Sequence, residues 1–381
     1  MDFSLDTNQQ GLKKAAIELA EKKLNEGIAE RDRKGEFSYE GWKACADFGL
    51  QGMMMPKKYG GMELSTLDAI VILEGIGFGC KDNGLIFSVN SHILGCEIPL
   101  LHFGTEEQKE KYLPGLCDGS LIGATAMTEA EGGSDIFGIK TCAVKSDGFY
   151  ILKGSKTFIT NAPVADVFLI YAKTDTSKKL SGLSCFIVEK GTPGLTVGKP
   201  IEKMGLRTSP MSEVFFDNCK IRKESLLGDE GNGLVVFGDS MEWERIFILA
   251  SCVGIMDRLL AQAVKYTAIR KSGNNTINKY QAIMHKIADM KLRVEISRLL
   301  IQKAAWLKMH SKSAQMEASM AKLYISENCV KSCRDMIQIF GGYGYMVEYE
   351  LEREMRDALA STIYSGTSEI QKNIIAALSG L

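Results

Sequence analysis

The sequence predicts an α+β protein in three parts. They are an N-terminal helical domain over residues 1–120, a middle β-barrel or sandwich domain over 121–230, and a C-terminal four-helix bundle over 231–381. The side-chain pattern changes twice along the 381 residues. Up to about residue 120, apolar residues recur at helical spacing. Short runs rich in β-branched and aromatic residues follow, cut by Gly, Asp, Asn and Lys turns. Beyond about residue 231 the helical runs return and are longer. A chain of this length holds two or three domains, and its 45% apolar content supplies a sizeable core.

In the first part, "QQGLKKAAIELAEKKLNEGIAERD" repeats apolar residues at helical spacing. "SYEGWKACADFGL" opens with a Ser cap and ends near Gly49. "STLDAIVILEGIGFG" is nearly apolar all round, which predicts a helix buried between others. "TEEQKEKYLPGL" carries a capping box from Thr105 to Gln108. In the second part, "FYILKGSKTFI", "DVFLIYAKTD", "LSCFIVEKG", "LTVGKPIEKMG" and "SEVFFDNCKI" read as strands of a compact barrel or sandwich. In the third, "NGLVVFGDSMEWERIFILASCVGIMDRLLAQAVKYTAIRK" reads as one helix of some ten turns. Two further long helices and a terminal one complete a bundle.

Composition excludes several functions. The net charge of −1 and the absence of a basic run give no nucleic-acid signature. The ten cysteines are irregularly spaced without a CxxC, and the four histidines form no ligand pattern with them, so neither a disulfide framework nor a metal site is expected. The N-terminal stretch is acidic as well as basic, unlike a targeting peptide, and no uninterrupted apolar run reaches about 18 residues. A cytoplasmic enzyme with free thiols and no membrane span is the resulting expectation.

Several stretches carry candidate chemistry. "MTEAEGGSD", Met127 to Asp135, can present backbone N–H groups and a hydroxyl to a phosphate, although an ordinary polar turn reads as well. In "KTFITN", Phe158 and Thr160 share a strand face that suits packing on a ring-shaped cofactor, or simply a strand surface. "QIFGGYGYM" and "GDEGNG" read as a helix cap with a turn and as a loop. "SMEWERIFILAS" is the most informative. On a helix Glu242 and Glu244 point about 200° apart. Glu242 is placed to pair with Arg245 at i+3. Glu244 has Met241, Phe247 and Ile248 around it, and a carboxylate on an apolar face gains proton affinity, which suits a general base.

Taken together, "PKKYGGMELSTLDAIVILEGIGFG", "HFGTEEQKEKYLPGL", "MTEAEGGSD", "KTFITN", "EKMGLRTSPMSEVFFDNCKI", "QIFGGYGY", "LEREMRDA" and "IYSGTSEIQ" resemble the acyl-CoA dehydrogenase family of flavoproteins. The resemblance runs the length of the chain and agrees with the three-part plan. It implies one FAD per subunit of a homodimer or homotetramer. By position it assigns Met127, Thr128, Gly133, Ser134, Phe158, Ile159 and Thr160 to the flavin and its phosphates, with Phe158 in the place of the family's usual Trp. It assigns Arg270, Gln281, Gln338, Gly341 and Gly342 to the nucleotide across a subunit interface, and Thr367 and Glu369 to the far end. Ser134, Arg245, Tyr364, Ser365 and Gly366 would line the substrate path.

The sequence departs from the family pattern at two places. Ser365 stands where the common catalytic glutamate would be, and Glu244 matches the position a minority branch uses instead. The backbone N–H of Ser365 retains the means to polarise a thioester carbonyl. "RKSGNNTINKYQAI" replaces the usual aromatic and Gly-x-Pro, which affects the interface contacts while leaving Arg270 and Gln281. Glu244, Ser365 and "MGLRTSPMSEVFFDNC" look closest to enzymes that oxidise prolyl groups on a carrier protein. A short branched-chain acyl-CoA dehydrogenase is the alternative, and a flavin-binding homologue without turnover is the third reading.

Overall fold

A computed structural model describes residues 4–136, 138–178 and 182–381. The N-terminal part is helical: α1 (Thr7–Leu19), α2 (Ile28–Lys34), α3 (Tyr39–Phe48), α4 (Thr66–Gly79), α5 (Asn83–His92), α6 (Ile98–Phe103) and α7 (Glu106–Cys117). The start signals act as their chemistry dictates. Ser38 caps α3 through the Gly41 N–H, and Gly49 closes it at a positive φ of 86°. Thr105 and Gln108 form the reciprocal capping box of α7. Helix α4 is buried on nearly every side, as its apolar sequence requires.

The middle part is an eight-stranded sheet, with strand order β6-β7-β3-β2-β4-β5-β8 and β1 added on β4. The strands are β1 (Gly123–Ala126), β2 (Cys142–Ser146), β3 (Phe149–Thr160), β4 (Val167–Lys173), β5 (Leu183–Glu189), β6 (Leu195–Val197), β7 (Met211–Arg222) and β8 (Leu226–Leu227). Its own apolar core includes Tyr150, Leu152, Phe168, Phe186 and Phe216. Strand β1 runs parallel to β4, as does β2 at Cys142–Lys173, and the other pairings of the sheet are antiparallel.

The C-terminal part begins with α8 (Gly233–Phe247) and α9 (Ala250–Ile269). The expected single ten-turn helix is therefore broken at Ile248–Leu249. The Ser251 hydroxyl donates back to the Ile248 carbonyl (3.0 Å), a competing bond that bends helices. Below the break α9 crosses α4 at backbone contact. A Cβ on Gly254 would lie 2.0 Å from the Glu74 carbonyl oxygen, and one on Gly77 2.0 Å from that of Ser251. A two-residue hairpin follows, β9 (Lys271–Ser272) and β10 (Asn275–Thr276), and then α10 (Gln281–Met309), α11 (Gln315–Phe340), α12 (Leu351–Ala360) and α13 (Ser368–Leu378).

The segments Asn83–Phe103 and Gly233–Ile269 are long and apolar enough to cross a bilayer, yet 83% and 78% of their apolar windows are buried inside the protein. They are core helices. The ten cysteines are free thiols, nine of them buried.

Candidate active site

Two segments far apart in sequence meet where α8 ends. The first carries Glu244. A π-helical turn at Ile93–Glu97 sets its position, because such a turn leaves carbonyls outside the ordinary helical ladder. The Ser240 hydroxyl, one turn before Glu244, donates to the Leu94 carbonyl (2.9 Å), and the Thr125 hydroxyl of β1 donates to that of Gly95 (2.5 Å). Helix α8 is thereby docked on both the N-terminal helices and the sheet.

The second segment is the turn between α12 and α13. Ser365 (φ 56°) and Gly366 (φ 88°) are both left-handed, a strained choice for serine. Arg245 Nε donates to the Ser365 carbonyl (3.2 Å), and Gln371 Nε2 donates to the carbonyls of Ser365 (3.1 Å) and Gly366 (2.9 Å). These bonds tie down the carbonyl side of the turn. No acceptor for the Ser365 backbone N–H is found among the described residues. Thr367 then caps α13 by accepting from the Ile370 N–H, and Glu369 lies exposed in its first turn.

Across this junction the Ser365 hydroxyl donates to Glu244 Oε1 at 2.5 Å. Burial pushes the Glu244 carboxyl above its usual range, while the Ser365 hydroxyl and the Arg245 cation pull it back. The expected Glu242–Arg245 pair does not form. Glu242 turns instead to Lys308 (3.3 Å) and to the Ala314 N–H (2.7 Å), because Arg245 is buried toward the Ser365 turn. Beside the junction lies an internal cavity lined by Phe87, Ile248, Ser251, Cys252 and Tyr364 among others. The Phe87 and Tyr364 rings meet at 4.7 Å between centroids.

The sheet contributes a third segment. Lys156 is fully buried and donates from Nζ to the Met127 carbonyl (2.9 Å) and to Glu129 Oε1 (2.8 Å). Glu129 also accepts from the N–H groups of Lys140 (2.6 Å) and Thr141 (3.0 Å). This knot holds the Met127–Ser134 loop onto β3. Immediately after it, β3 bulges against β7 between Lys156 and Ile159. Phe158, at φ 57°, is thrown outward and is 58% exposed, Ile159 is buried in the sheet core, and Thr160 is half-buried. Only the main chain of Ile159 is thus available to a ligand. Asn161 Nδ2 fastens the strand end to the carbonyls of Ser88 (3.0 Å) and Gly123 (3.2 Å).

A separate surface cleft gathers Arg270, Gly341 and Gly342 with Tyr266, Phe340 and Tyr343. Arg270 lies over the Tyr343 ring at 5.2 Å. Gln281 and Gln338 are exposed near the ends of α10 and α11. A Cβ on Gly342 would meet nothing within 4 Å, and its φ is unstrained, so nothing inside the chain demands glycine there. The same holds for Gly133. Bare backbone of this kind suits the close approach of a phosphate or nucleotide. Among the described residues no hydrogen bond joins this cleft to the Met127–Thr160 strip. Among the described residues no group of three or more His, Cys, Asp or Glu is placed to hold a metal.

The comparisons with known proteins match this construction part by part. The model of the acyl-CoA dehydrogenase N-terminal domain matches residues 6–120, that of the middle domain 124–219, and that of the C-terminal domain 231–379.

The chain belongs to the acyl-CoA dehydrogenase family.

Within that family it is 41% identical to the L-prolyl-[peptidyl-carrier protein] dehydrogenase of Serratia sp. (strain ATCC 39006), over 100% of this chain and 99% of that protein. Among solved structures it superposes on the prolyl acyl carrier protein oxidase AnaB with a TM-score of 0.98 at 48% identity, covering 99% of this chain and 100% of that one. It superposes equally on PigA with FAD and proline, with a TM-score of 0.98 at 41% identity and 100% coverage of both.

The Ser365–Gly366 turn between α12 and α13 and the Glu244 carboxylate on α8 come from distant parts of the chain. Several residues at this junction escape a reading of the sequence. Lys156, Glu129 and Asn161 lie inside or beside the motifs but carry no catalytic signature. Gln371 closes the motif "IYSGTSEIQ" without such a signature either, and Lys322 lies outside the motifs. The one available signal was a lysine at an inward strand position (Lys156) or on the uncharged face of a helix (Lys322).

Proposed function

We propose that this chain uses FAD to dehydrogenate an acyl thioester, and that the acyl group is an L-prolyl residue carried on a peptidyl carrier protein in a biosynthetic pathway. The observation that carries this reading is the Glu244–Ser365 hydrogen bond at 2.5 Å. It places a carboxylate of raised proton affinity against the turn that lacks one, with an apolar wall of Phe87, Ile248 and Tyr364 beside it. The full-length likeness to prolyl-carrier-protein enzymes supports the compact, cyclic acyl group.

The donor set fits FAD. Met127, Thr128, Gly133 and Ser134, with Phe158, Thr160 and the main chain of Ile159, offer a face for the flavin and hydroxyls and N–H groups for phosphate. Arg270, Gln281, Gln338, Gly341 and Gly342 complete the nucleotide site from a second copy in a dimer or tetramer, and Thr367 and Glu369 hold the far end. Bound FAD supplies the acceptor for the substrate's β-hydride. Glu244, as carboxylate, takes the α-proton. The free Ser365 N–H faces the thioester carbonyl and strengthens its bond as negative charge develops there. Arg245 and Gln371 hold that N–H in place by fixing the turn. Tyr364 and Gly366 border the path, and Ser134 meets the pantetheine side. The ten free thiols support a reducing, cytoplasmic compartment.

Ser365→Ala is expected to leave the turn intact but to strip Glu244 of its hydroxyl donor. A bond to a charged group is worth about 1.5–3 kcal/mol. The acid limb of flavin reduction should therefore move up by about one to two pH units. A limb unchanged in a stopped-flow pH series rejects that role for the hydroxyl.

The substrate is tested by mass spectrometry after incubation with prolyl-loaded carrier protein and, separately, with a panel of acyl-CoAs. Loss of two hydrogens from the prolyl carrier is expected. Loss only from a CoA ester rejects the carrier reading in favour of a short branched-chain acyl-CoA dehydrogenase, the second reading that the family membership itself supports. A yellow protein bleached by neither substrate rejects both.

A further inference from the structure

Lys322 sits in the middle of α11, wholly buried, and its Nζ has no hydrogen-bond partner among the described residues. Its own helix face carries no charge and is equally buried at Ala318, Ser319, Ile325, Ser326 and Cys329. An ammonium in such a place is costly unless an opposite charge faces it. Helix α11 packs on α8, α9, α10, α12 and α13. The charge of Lys322 acts on Arg245 and Glu244 of α8, on Cys252 of α9 and on Glu327 of α11 itself, most strongly on Arg245 and Glu327. Glu369 at the head of α13 also feels its charge. Glu327 is already engaged, accepting from the Ser368 hydroxyl at 2.6 Å. The α10 cations Lys286 and Arg293 are bound to Asp335, and Lys303 to Glu317. On α12, Glu354 is bound to Arg258. The Ser368 hydroxyl is neutral, so Lys322 faces two anions, Glu327 on its own helix and Glu244 on α8.

We propose that Lys322 is a positioning residue for the base: its buried ammonium, acting with Arg245, holds the Glu244 carboxylate in the charged, proton-accepting form. Burial pushes Glu244 up, while burial and the Arg245 cation push Lys322 down, to about 8. Each draws the other back toward its charged state, since opposite charges interact strongly where water is scarce. The inference rests on Glu244 being the base.

The test titrates the Glu244 carboxyl directly, by infrared difference spectroscopy of the holoenzyme across pH. The band that disappears in Glu244→Gln identifies it. In Lys322→Met the midpoint is expected to rise by about one pH unit, the usual scale for losing one nearby opposite charge. Lys322→Arg, which keeps the charge, should restore it. Glu327→Gln frees Lys322 from its competing anion and should lower the midpoint. A general loosening of the site cannot produce shifts of opposite sign. An unmoved midpoint in Lys322→Met, or shifts of the same sign in Lys322→Met and Glu327→Gln, overturns the proposal. If Lys322→Met does not fold, the Lys322→Arg and Glu327→Gln pair still decides it: a midpoint that Glu327→Gln leaves in place counts against the coupling. Normal flavin reduction in Glu244→Gln removes the base reading itself. A dead Glu244→Gln with an unmoved midpoint removes only the role of Lys322.

Discussion

Glu244→Gln is expected to bind FAD normally and to lose flavin reduction by thioester about 10²–10⁴-fold, the range a positioned general base supplies. The substitution is close to isosteric. The glutamine carbonyl oxygen still accepts from the Ser365 hydroxyl, so the 2.5 Å contact and the strained turn keep a partner. What disappears is the capacity to take a proton. Anaerobic stopped-flow reduction separates the two, since flavin content reports the fold and the reduction rate reports the base. Near-normal rates in this variant would sink the assignment. The pH dependence of the unaltered protein has a definite sign. Burial raises the Glu244 carboxyl, and only its ionised form accepts a proton. Reduction should therefore fall as the pH drops through that raised value, higher than for an exposed glutamate.

Lys156→Met is expected to cost about 3–5 kcal/mol of stability, the scale for removing one partner of a buried ion pair. Glu129 would keep its two backbone N–H donors from Lys140 and Thr141 but would lose its counter-charge. Burial already works against that carboxylate, and the Lys156 charge is the largest influence holding it ionised. The Met127 carbonyl would lose its donor as well. Because this knot anchors the Met127–Ser134 loop, flavin affinity should weaken together with stability. Glu129→Gln combined with Lys156→Met removes both charges and should recover most of the loss, a coupling that a denaturation double-mutant cycle reads directly. A single variant as stable as the parent would show that the pair does not carry the loop.

The residues that were legible in the sequence were those whose role is local. Ser38, Thr105 and Gly49 announce helix ends because a cap is settled within four residues. Glu244 announced itself because its helical neighbours are apolar at i−3, i+3 and i+4. Failures came where a competitor from elsewhere prevailed. Arg245 is the right distance from Glu242 along the helix, yet the Ser365 carbonyl, 120 residues away, takes its guanidinium. The ten-turn helix broke at Ile248–Leu249, where the Ser251 hydroxyl bonds back and the crossing at Gly77 and Gly254 holds α9 against α4.

By itself the sequence determined the three-part plan, the caps, the Ser-Gly-Thr turn that carries no carboxylate at Ser365, and the candidate base on α8. Each depends on periodicity, on a short motif, or on side-chain chemistry that a few neighbouring residues express. Tertiary structure alone decided that Ser365 and Glu244 share a hydrogen bond and that Phe158 stands out from a bulge. It also decided that Lys156 and Lys322 lie buried, and that the Arg270–Gly342 cleft is separate from the Met127–Thr160 strip. The physical reason is that these features are set by desolvation and by partners more than a hundred residues away, or by strand register, and none of these leaves a periodic trace along the chain.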